Sequence, residues 1–344
     1  MTTCLPPEWA PQHGTLIVWP HPRHDWAESL SRIEPVYLTL AEQITKVQHL
    51  YILCQDEPHR DQLRQKLAAA LPHTGRISLI TCPGNDTWIR DNGPLTVRDH
   101  RQHWQWLDFR FNGWGNKFDA TLDDRVTETL HHSEPFCHLP LQHLDFILEG
   151  GSIEVDGAGT MLTTTQCLLA PTRNPGCSRR DISRLFARTL GVHEILWLEN
   201  SFLLGDDTDG HIDMLVRFCS PDVVCYCHCR DPEDPHFRPL GELARELALA
   251  NRRRRRPWQL LPLPLPDPQV TSTGQRLPAS YANFSIINQT VLIPVYNTPS
   301  DSEAIALLTQ AFPRHRVQPV DARPLIEQGG AVHCATMQIP AIFG

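Results

Sequence analysis

Apolar and polar positions alternate along several short stretches of the chain. From His211 the residues run His-Ile-Asp-Met-Leu-Val-Arg-Phe. Ile212, Met214, Val216 and Phe218 fall on one face, His211, Asp213 and Arg217 on the other, and Leu215 is the exception. That period of two predicts a strand with an apolar core face. Five stretches read in the same way as strand, turn, strand: residues 88–97, 147–164, 210–227, 280–296 and 329–339. With Asp91, Glu149, His211, Tyr281 and Cys334 as markers, the spacings are 58, 62, 70 and 53 residues. A recurring period of this kind signals a repeat architecture.

A period of 3.6 fills the gaps between these stretches. In "SRRDISRLFARTLG", Ser178 is the expected N-cap, Asp181 lies three residues on, and Ile182, Leu185, Phe186 and Leu190 mark one face before Gly191. "SDSEAIALLTQAFP" repeats the design, with Ser300 as cap, Glu303 at the capping-box position and Pro313 as stop. Residues 34–47, 59–72 and 239–252 carry further helical patterns. Hairpins alternating with helices predict α/β units around a centre, and no linker composition divides the chain. The expectation is one domain over residues 1–344.

Composition narrows the class. Hydrophobic residues make up 41% and charged residues 20% of 344, which suits a soluble globular chain, and 30 prolines imply many loops. The formal charge of −8 disfavours nucleic acid and mildly favours a cationic ligand. The run Arg252–Arg256 closes a predicted helix, where positive charge is favourable, and no aromatic or glycine-rich motif accompanies it. The start, "MTTCLPPEWAPQHG", lacks the basic and apolar regions of a secretory signal, and no apolar run is long enough to span a bilayer. Eleven irregularly spaced cysteines fit a reducing cytoplasm. A homo-oligomer is compatible with this composition, which does not fix the oligomeric state.

Chemistry enters at the edges of the repeat units. "CYCHCR" (225–230) suggests zinc, but its cysteines are spaced C-x-C and alternate faces along a strand, so no metal site is expected. "GDDTDGHID" lacks the ligands of a calcium loop at Gly205 and Val216. Asp206 and Asp209 are adequately explained as turn formers, yet His211 beside Asp213 on a polar face is not. Asp91 sits between Arg90 and an Asn-Gly-Pro turn. Glu149 follows three apolar residues and precedes two glycines, and a carboxylate at a buried strand end usually has a partner or a task. Cys334 lies behind a Gly-Gly turn beside His333. If the units surround a centre, a thiol, an imidazole and three acids converge. Such a group suits thiolate attack on a guanidinium carbon, because the fork of guanidinium N–H donors matches paired carboxylates. A papain-like protease is disfavoured by order, since His211 precedes Cys334.

The stretches "LPPEWAPQHGTLIVWPHPRHDW", "NDTWIRDNGP", "FNGWG", "ILEGGSIEVDGAGTMLTT", "DDTDGHIDMLVRF", "ASYANFSIIN" and "GGAVHC" together resemble the agmatine deiminases of the bacterial peptidyl-arginine deiminase group of guanidine-modifying enzymes. The matches span nearly the whole chain in order. The resemblance implies a five-bladed pseudosymmetric α/β propeller of ββαβ units and no metal or cofactor. It implies Cys334 as nucleophile, His211 as general acid/base, Asp91 and Asp213 as guanidinium ligands and Glu149 as support for the histidine. It also implies that Trp88 walls the substrate channel, that Trp114 contacts substrate, and that Asp207 keeps a carboxylate near the site for the far amine. Ala331 stands where the cysteine motif often carries a third glycine. The implied reaction is hydrolysis of agmatine to N-carbamoylputrescine and ammonia, feeding polyamine synthesis, with arginine or peptidyl-arginine as the rival substrates.

Overall fold

The computed structural model describes residues 3–72 and 74–342. The first two residues of the stretch searched for a leader, and the last two of the expected 1–344 unit, lie outside the described residues. The fold is mixed α/β. Its strands form five separate sheets, one of four strands and four of three. Each three-stranded sheet is built alike. Ile153–Val155 pairs antiparallel with Thr160–Thr164, the helix Arg179–Thr189 follows, and Glu194–Leu198 returns parallel to the middle strand. Val216–Ser220, Val223–His228 and Gln259–Pro264 repeat this around the helix Phe237–Arg252. Ser285–Ile287, Thr290–Val295 and Arg316–Asp321 repeat it around Ser300–Ala311.

The two outer stretches of the expected repeat are built differently. Residues 88–92 are not a strand: Ile89–Asn92 is one helical turn, and Leu95–Arg98 finds its partner downstream in Trp104–Arg110. Residues 329–339 supply a single strand, Met337–Pro340, which pairs antiparallel with Gln12–Val18. The chain's end therefore closes the sheet that its beginning opens. The 211–218 stretch is a second correction. Gly210 and Asp209 take left-handed backbone (φ 83° and 66°), and Ile212–Met214 forms a 3-10 turn, so the strand starts only at Val216. Leu215, the break in the alternation, marks that junction.

Local signals decide the helix ends. Ser178 and Asp181 make the reciprocal capping box, and Gly191 follows in left-handed conformation (φ 73°). Ser300 does not cap. It is the first helical residue, and the Asp301 carboxylate instead accepts from the backbone N–H groups of Tyr296 and Thr298. The shorter acid one residue on binds the turn more directly. The Arg252–Arg256 run follows the expected helix end, with the Arg254 guanidinium over the Trp258 ring at 3.8 Å. No helix among the described residues is long and apolar enough to cross a membrane.

Candidate functional site

A cavity of about 190 Å³ opens where the inner ends of several units meet, and Trp88, Asp91, Trp114, Asp207, His211 and Cys334 all line it. Glu149 and Asp213 lie buried in the same region. Gly151 shows how tightly the parts converge. A Cβ built on it would stand 2.7 Å from His211 Nδ1, 2.8 Å from Asp91 Oδ1 and 3.0 Å from Asp213 Oδ2. Only a glycine lets these three side chains approach one another, which explains the second glycine of "LEGG".

The helical turn at 89–92 aims Asp91 inward. Its Oδ1 accepts the Gly151 N–H and its Oδ2 accepts the Trp114 indole N–H, both at 2.9 Å. Asp91 is thus held rigidly, and Trp114 acts on the site partly through it. Trp88 packs flat against the chain at Gly330, where a Cβ would come within 2.4 Å of its ring. Asp213 Oδ2 accepts from His333 Nδ1 at 2.7 Å and faces Cys334 Sγ at 3.7 Å. The other nitrogen of His333 meets Glu8 Oε2 at 3.0 Å. His333, next to the nucleophile candidate in sequence, therefore ties the Asp213 carboxylate to the N-terminal segment.

Cys334 is positioned by Asn283. The Asn283 side-chain oxygen accepts from the backbone N–H groups of His333 (3.0 Å) and Cys334 (3.3 Å), while its Nδ2 donates to Sγ at 3.2 Å. Burial, together with the carboxylates of Asp213 and Asp91, pushes the Cys334 thiol well above the ordinary thiol range. Burial opposes charge on His211, but Asp91, Cys167 and Glu149 beside it outweigh that and raise its pKa well above the usual imidazole value. Burial raises Asp91, partly offset by His211. Burial would also raise Asp213, yet the His333 hydrogen bond carries it below the ordinary range.

Four buried polar atoms here have no hydrogen-bond partner: His211 Nδ1 and Nε2, Asp213 Oδ1 and Glu149 Oε2. Buried polar groups are nearly always paired, so four bare ones around a thiol mark a place built for a ligand. With His211 charged, its two bare ring nitrogens are donors and the two bare carboxylate oxygens of Asp213 and Glu149 are acceptors, and those oxygens suit a cation rich in N–H groups.

Several expectations change at this level. Glu149 does not hydrogen-bond His211. Its Oε1 accepts from Arg173 Nε at 2.7 Å and its Oε2 has no partner, so the support it gives the imidazole is the charge of a carboxylate within 4.8 Å of a ring nitrogen. Arg217 does not share a strand face with His211 and Asp213. It is fully buried, donating to Glu154 Oε2 at 2.9 Å, to the Phe284 carbonyl at 2.6 Å and to Glu8. Asp206 and Asp209 serve the turn, as expected. Asp206 accepts from Thr208 and Gly210 N–H groups, and Asp209 pairs with Arg173 and Lys117. Among the described residues, no group of three potential metal ligands includes Cys225, Cys227 or Cys229. Cys227 instead contacts the Met214 carbonyl and the Ser280 hydroxyl.

Residues 4–340 match the model of the Porphyromonas-type peptidyl-arginine deiminases. The chain is 32% identical to the agmatine deiminase of Stutzerimonas stutzeri, over 98% of this chain and 96% of that one. A C. jejuni agmatine deiminase, solved as a cysteine-to-serine variant with substrate bound, superposes with a TM-score of 0.90 at 34% identity, covering 98% of this chain and 96% of that one. A cyanobacterial arginine dihydrolase domain shares the fold at 14% identity, with a TM-score of 0.52 over 95% of this chain and 97% of that one. The match over almost the full length places this chain in the Porphyromonas-type peptidyl-arginine deiminase family.

Proposed function

We propose that this protein hydrolyses agmatine to N-carbamoylputrescine and ammonia, as a cytoplasmic, cofactor-independent step toward polyamines. The observation that carries the proposal is the pair of bare buried carboxylate oxygens, Asp213 Oδ1 and Glu149 Oε2, beside an acid-lined cavity that Cys334 and His211 line. A guanidinium seated between Asp91 and Asp213 donates its N–H groups to the bare Asp213 Oδ1 and to the second lone pairs of the Asp91 oxygens, which already accept from Gly151 and Trp114. Its charge also relieves the two carboxylates that hold the Cys334 proton in place, so on substrate arrival that proton passes out to solvent and the thiolate remains.

The thiolate attacks the guanidinium carbon, forming a C–S bond and a tetrahedral adduct. His211 gives a proton to one nitrogen as its C–N bond breaks, and ammonia leaves. A thiouronium remains on Cys334. Water then attacks the same carbon, losing a proton to His211. The C–S bond breaks as the C=O bond forms, the hydroxyl proton of the adduct passes to the departing Cys334 thiolate, and the urea product departs. Asp207 at the cavity wall takes the primary ammonium of the substrate, where burial and Asp206 raise its pKa and a bound cation would lower it again.

Agmatine is favoured over arginine by the state of the nearby cations. Arg173 uses its Nε, Nη1 and Nη2 donors on Glu149, Asp209 and Thr208, and Arg217 is enclosed by Glu8, Glu154 and Phe284. Lys117 is engaged by Asp209 and the Asp207 carbonyl. An α-carboxylate would meet Asp25, Asp86 and Asp207 along the cavity with no free guanidinium to receive it. Like charges brought together cost several kcal/mol, enough for roughly a thousandfold preference. The five sheets are read as the blades of one pseudosymmetric five-bladed α/β propeller forming a single catalytic domain, a reading supported by the connectivity that the four three-stranded sheets share. Ammonia release from agmatine, free arginine and a blocked arginine peptide tests the substrate directly. Agmatine should lead in kcat/KM, and a preference for arginine would overturn the assignment.

A further inference from the structure

Behind His211 lies a second thiol that the reaction does not use. Cys167 sits in the short helix Thr165–Leu168, whose cap Thr164 accepts the Cys167 N–H, and it is fully buried. Glu149, Cys167 and His211 each present a metal-ligating atom, and these atoms all lie within 4.8 Å of one another. They come from three different segments of the chain, and nothing in the proposed chemistry requires the thiol. Two of the three also keep bare donor atoms in the interior, Glu149 Oε2 and the ring nitrogens of His211. Arg173 fixes the orientation of the Glu149 carboxylate through Oε1, leaving Oε2 free, which is the kind of outer support that ligands to metals usually have.

A thiolate, an imidazole and a carboxylate form a donor set suited to Zn²⁺ and similar thiophilic divalent ions. Around four-coordinate zinc, ligand atoms stand about 3.3–3.8 Å apart, given bonds of about 2.0–2.3 Å. The three side chains need only a small inward shift to reach that spacing. His211 also lines the substrate cavity, so an ion has an entry path past its ring.

We propose that Glu149, Cys167 and His211 form an inhibitory site for Zn²⁺, reached from the substrate cavity and distinct from the nucleophile. On binding, the Cys167 S–H bond breaks, and any proton on the ligating nitrogen of His211 is lost. Bonds from sulfur, nitrogen and oxygen to zinc form, water completes the shell, and no electrons are transferred. That the ion inhibits rests on His211 acting as acid and base in the proposed reaction; that it binds does not.

The test uses Co²⁺, whose thiolate complexes absorb in the near ultraviolet. The protein is the full chain carrying Cys334→Ser, with Cys137→Ser added to remove the exposed group Glu134, Cys137 and His138, which could also hold an ion. One Co²⁺ should bind with a thiolate band that Zn²⁺ bleaches. Adding either Cys167→Ser or His211→Gln should abolish the band, and the second variant leaves the buried thiol in place. In the otherwise native enzyme, Zn²⁺ should inhibit reversibly to chelation, and Cys167→Ala should weaken inhibition at least about tenfold relative to its own uninhibited rate. No band in the Cys334→Ser protein, or equal inhibition with and without Cys167, would overturn the site and place the ion on Cys334 instead. If the Cys334→Ser protein binds Co²⁺ as expected while the native enzyme does not act on agmatine, the proposed function is refuted and the metal site stands.

Discussion

Two charged clusters lie close together in the interior and differ in one respect. In the first, Arg217 is surrounded by Glu8, Glu154 and the Phe284 carbonyl, and Glu154 also accepts the Phe218 N–H. In the second, Asp91, Asp213, Glu149 and His211 keep four polar atoms unpaired. His333 joins them, with one nitrogen on Glu8 and the other on Asp213. Both clusters hold several acids and a base, and both are built of buried side chains. The first is closed and braces the second. Charge and burial alone would not tell them apart; the unmet hydrogen bonds do. A complete network fixes structure, and an incomplete one waits for a ligand.

The comparison breaks most sharply at Cys334. Replacing it by Ser should leave both clusters intact and remove the nucleophile, because a hydroxyl ionises far less readily than a thiol. Turnover of agmatine should fall by at least about a thousandfold, an order typical of a lost catalytic nucleophile, while the thermal midpoint barely moves. Rapid-quench mass spectrometry of the native enzyme should find the substrate's amidino group on Cys334. Near-normal turnover in the Ser variant, or the label on another cysteine, would sink the covalent route.

Arg217→Met is the converse experiment. It leaves Glu8 and Glu154 buried without their cation, and removing one partner of a buried pair costs about 3–5 kcal/mol. Denaturant unfolding should register that loss, and activity in the surviving folded fraction should fall much less than in the Cys334 variant. A stable Arg217→Met protein with wild-type unfolding would mean that the closed cluster is not the brace described here.

The two clusters were not equally legible in the sequence. Cys334, His211, Asp91, Asp213 and Glu149 sit in short stretches with their own signals, such as Gly pairs, turns and alternation, and the structure brings all five together. The closed cluster left no such trace, because its bonds join residues far apart in the chain. Glu8 and Arg217 are separated by 209 positions, His333 and Glu8 by 325. Asn283, which holds Cys334 by three contacts, lay inside the "SYANF" stretch without any pattern to single it out. Arg173 gave no signal, although it organises Glu149 and Asp209 at once. The repeat was legible where both hairpin strands lie inside the stretch, as Ile153–Val155 with Thr160–Thr164 do, and it slipped at 88–97, where the first residues make a helical turn and the partner strand lies downstream. It failed at 329–339, where the partner strand is at the opposite end of the chain.

A third carboxylate sharpens the distinction between a met hydrogen bond and a met charge. Asp123 is buried and accepts the Asn85 backbone N–H at 2.7 Å, but no cation pairs with it and Asp86 lies nearby. Burial raises its pKa to about 7, from 3.8 for the free side chain. The unfolded chain therefore releases this proton near pH 4, whereas the folded one holds it until about pH 7. Within that window the native state binds more protons, so rising pH destabilises it, and the penalty is complete above about pH 7. Asp123→Asn keeps the acceptor for Asn85 and removes the titration. Its stability relative to the native protein should climb by roughly 1–3 kcal/mol between pH 4 and pH 8, measured by urea unfolding at several pH values. Asp86, whose own pKa burial raises to about 6, titrates in both proteins, so the difference between the two curves reports Asp123 together with its coupling to Asp86. Parallel curves would mean that the Asn85 N–H alone stabilises the charged form, and that hydrogen bonding can stand in for a counterion at this depth.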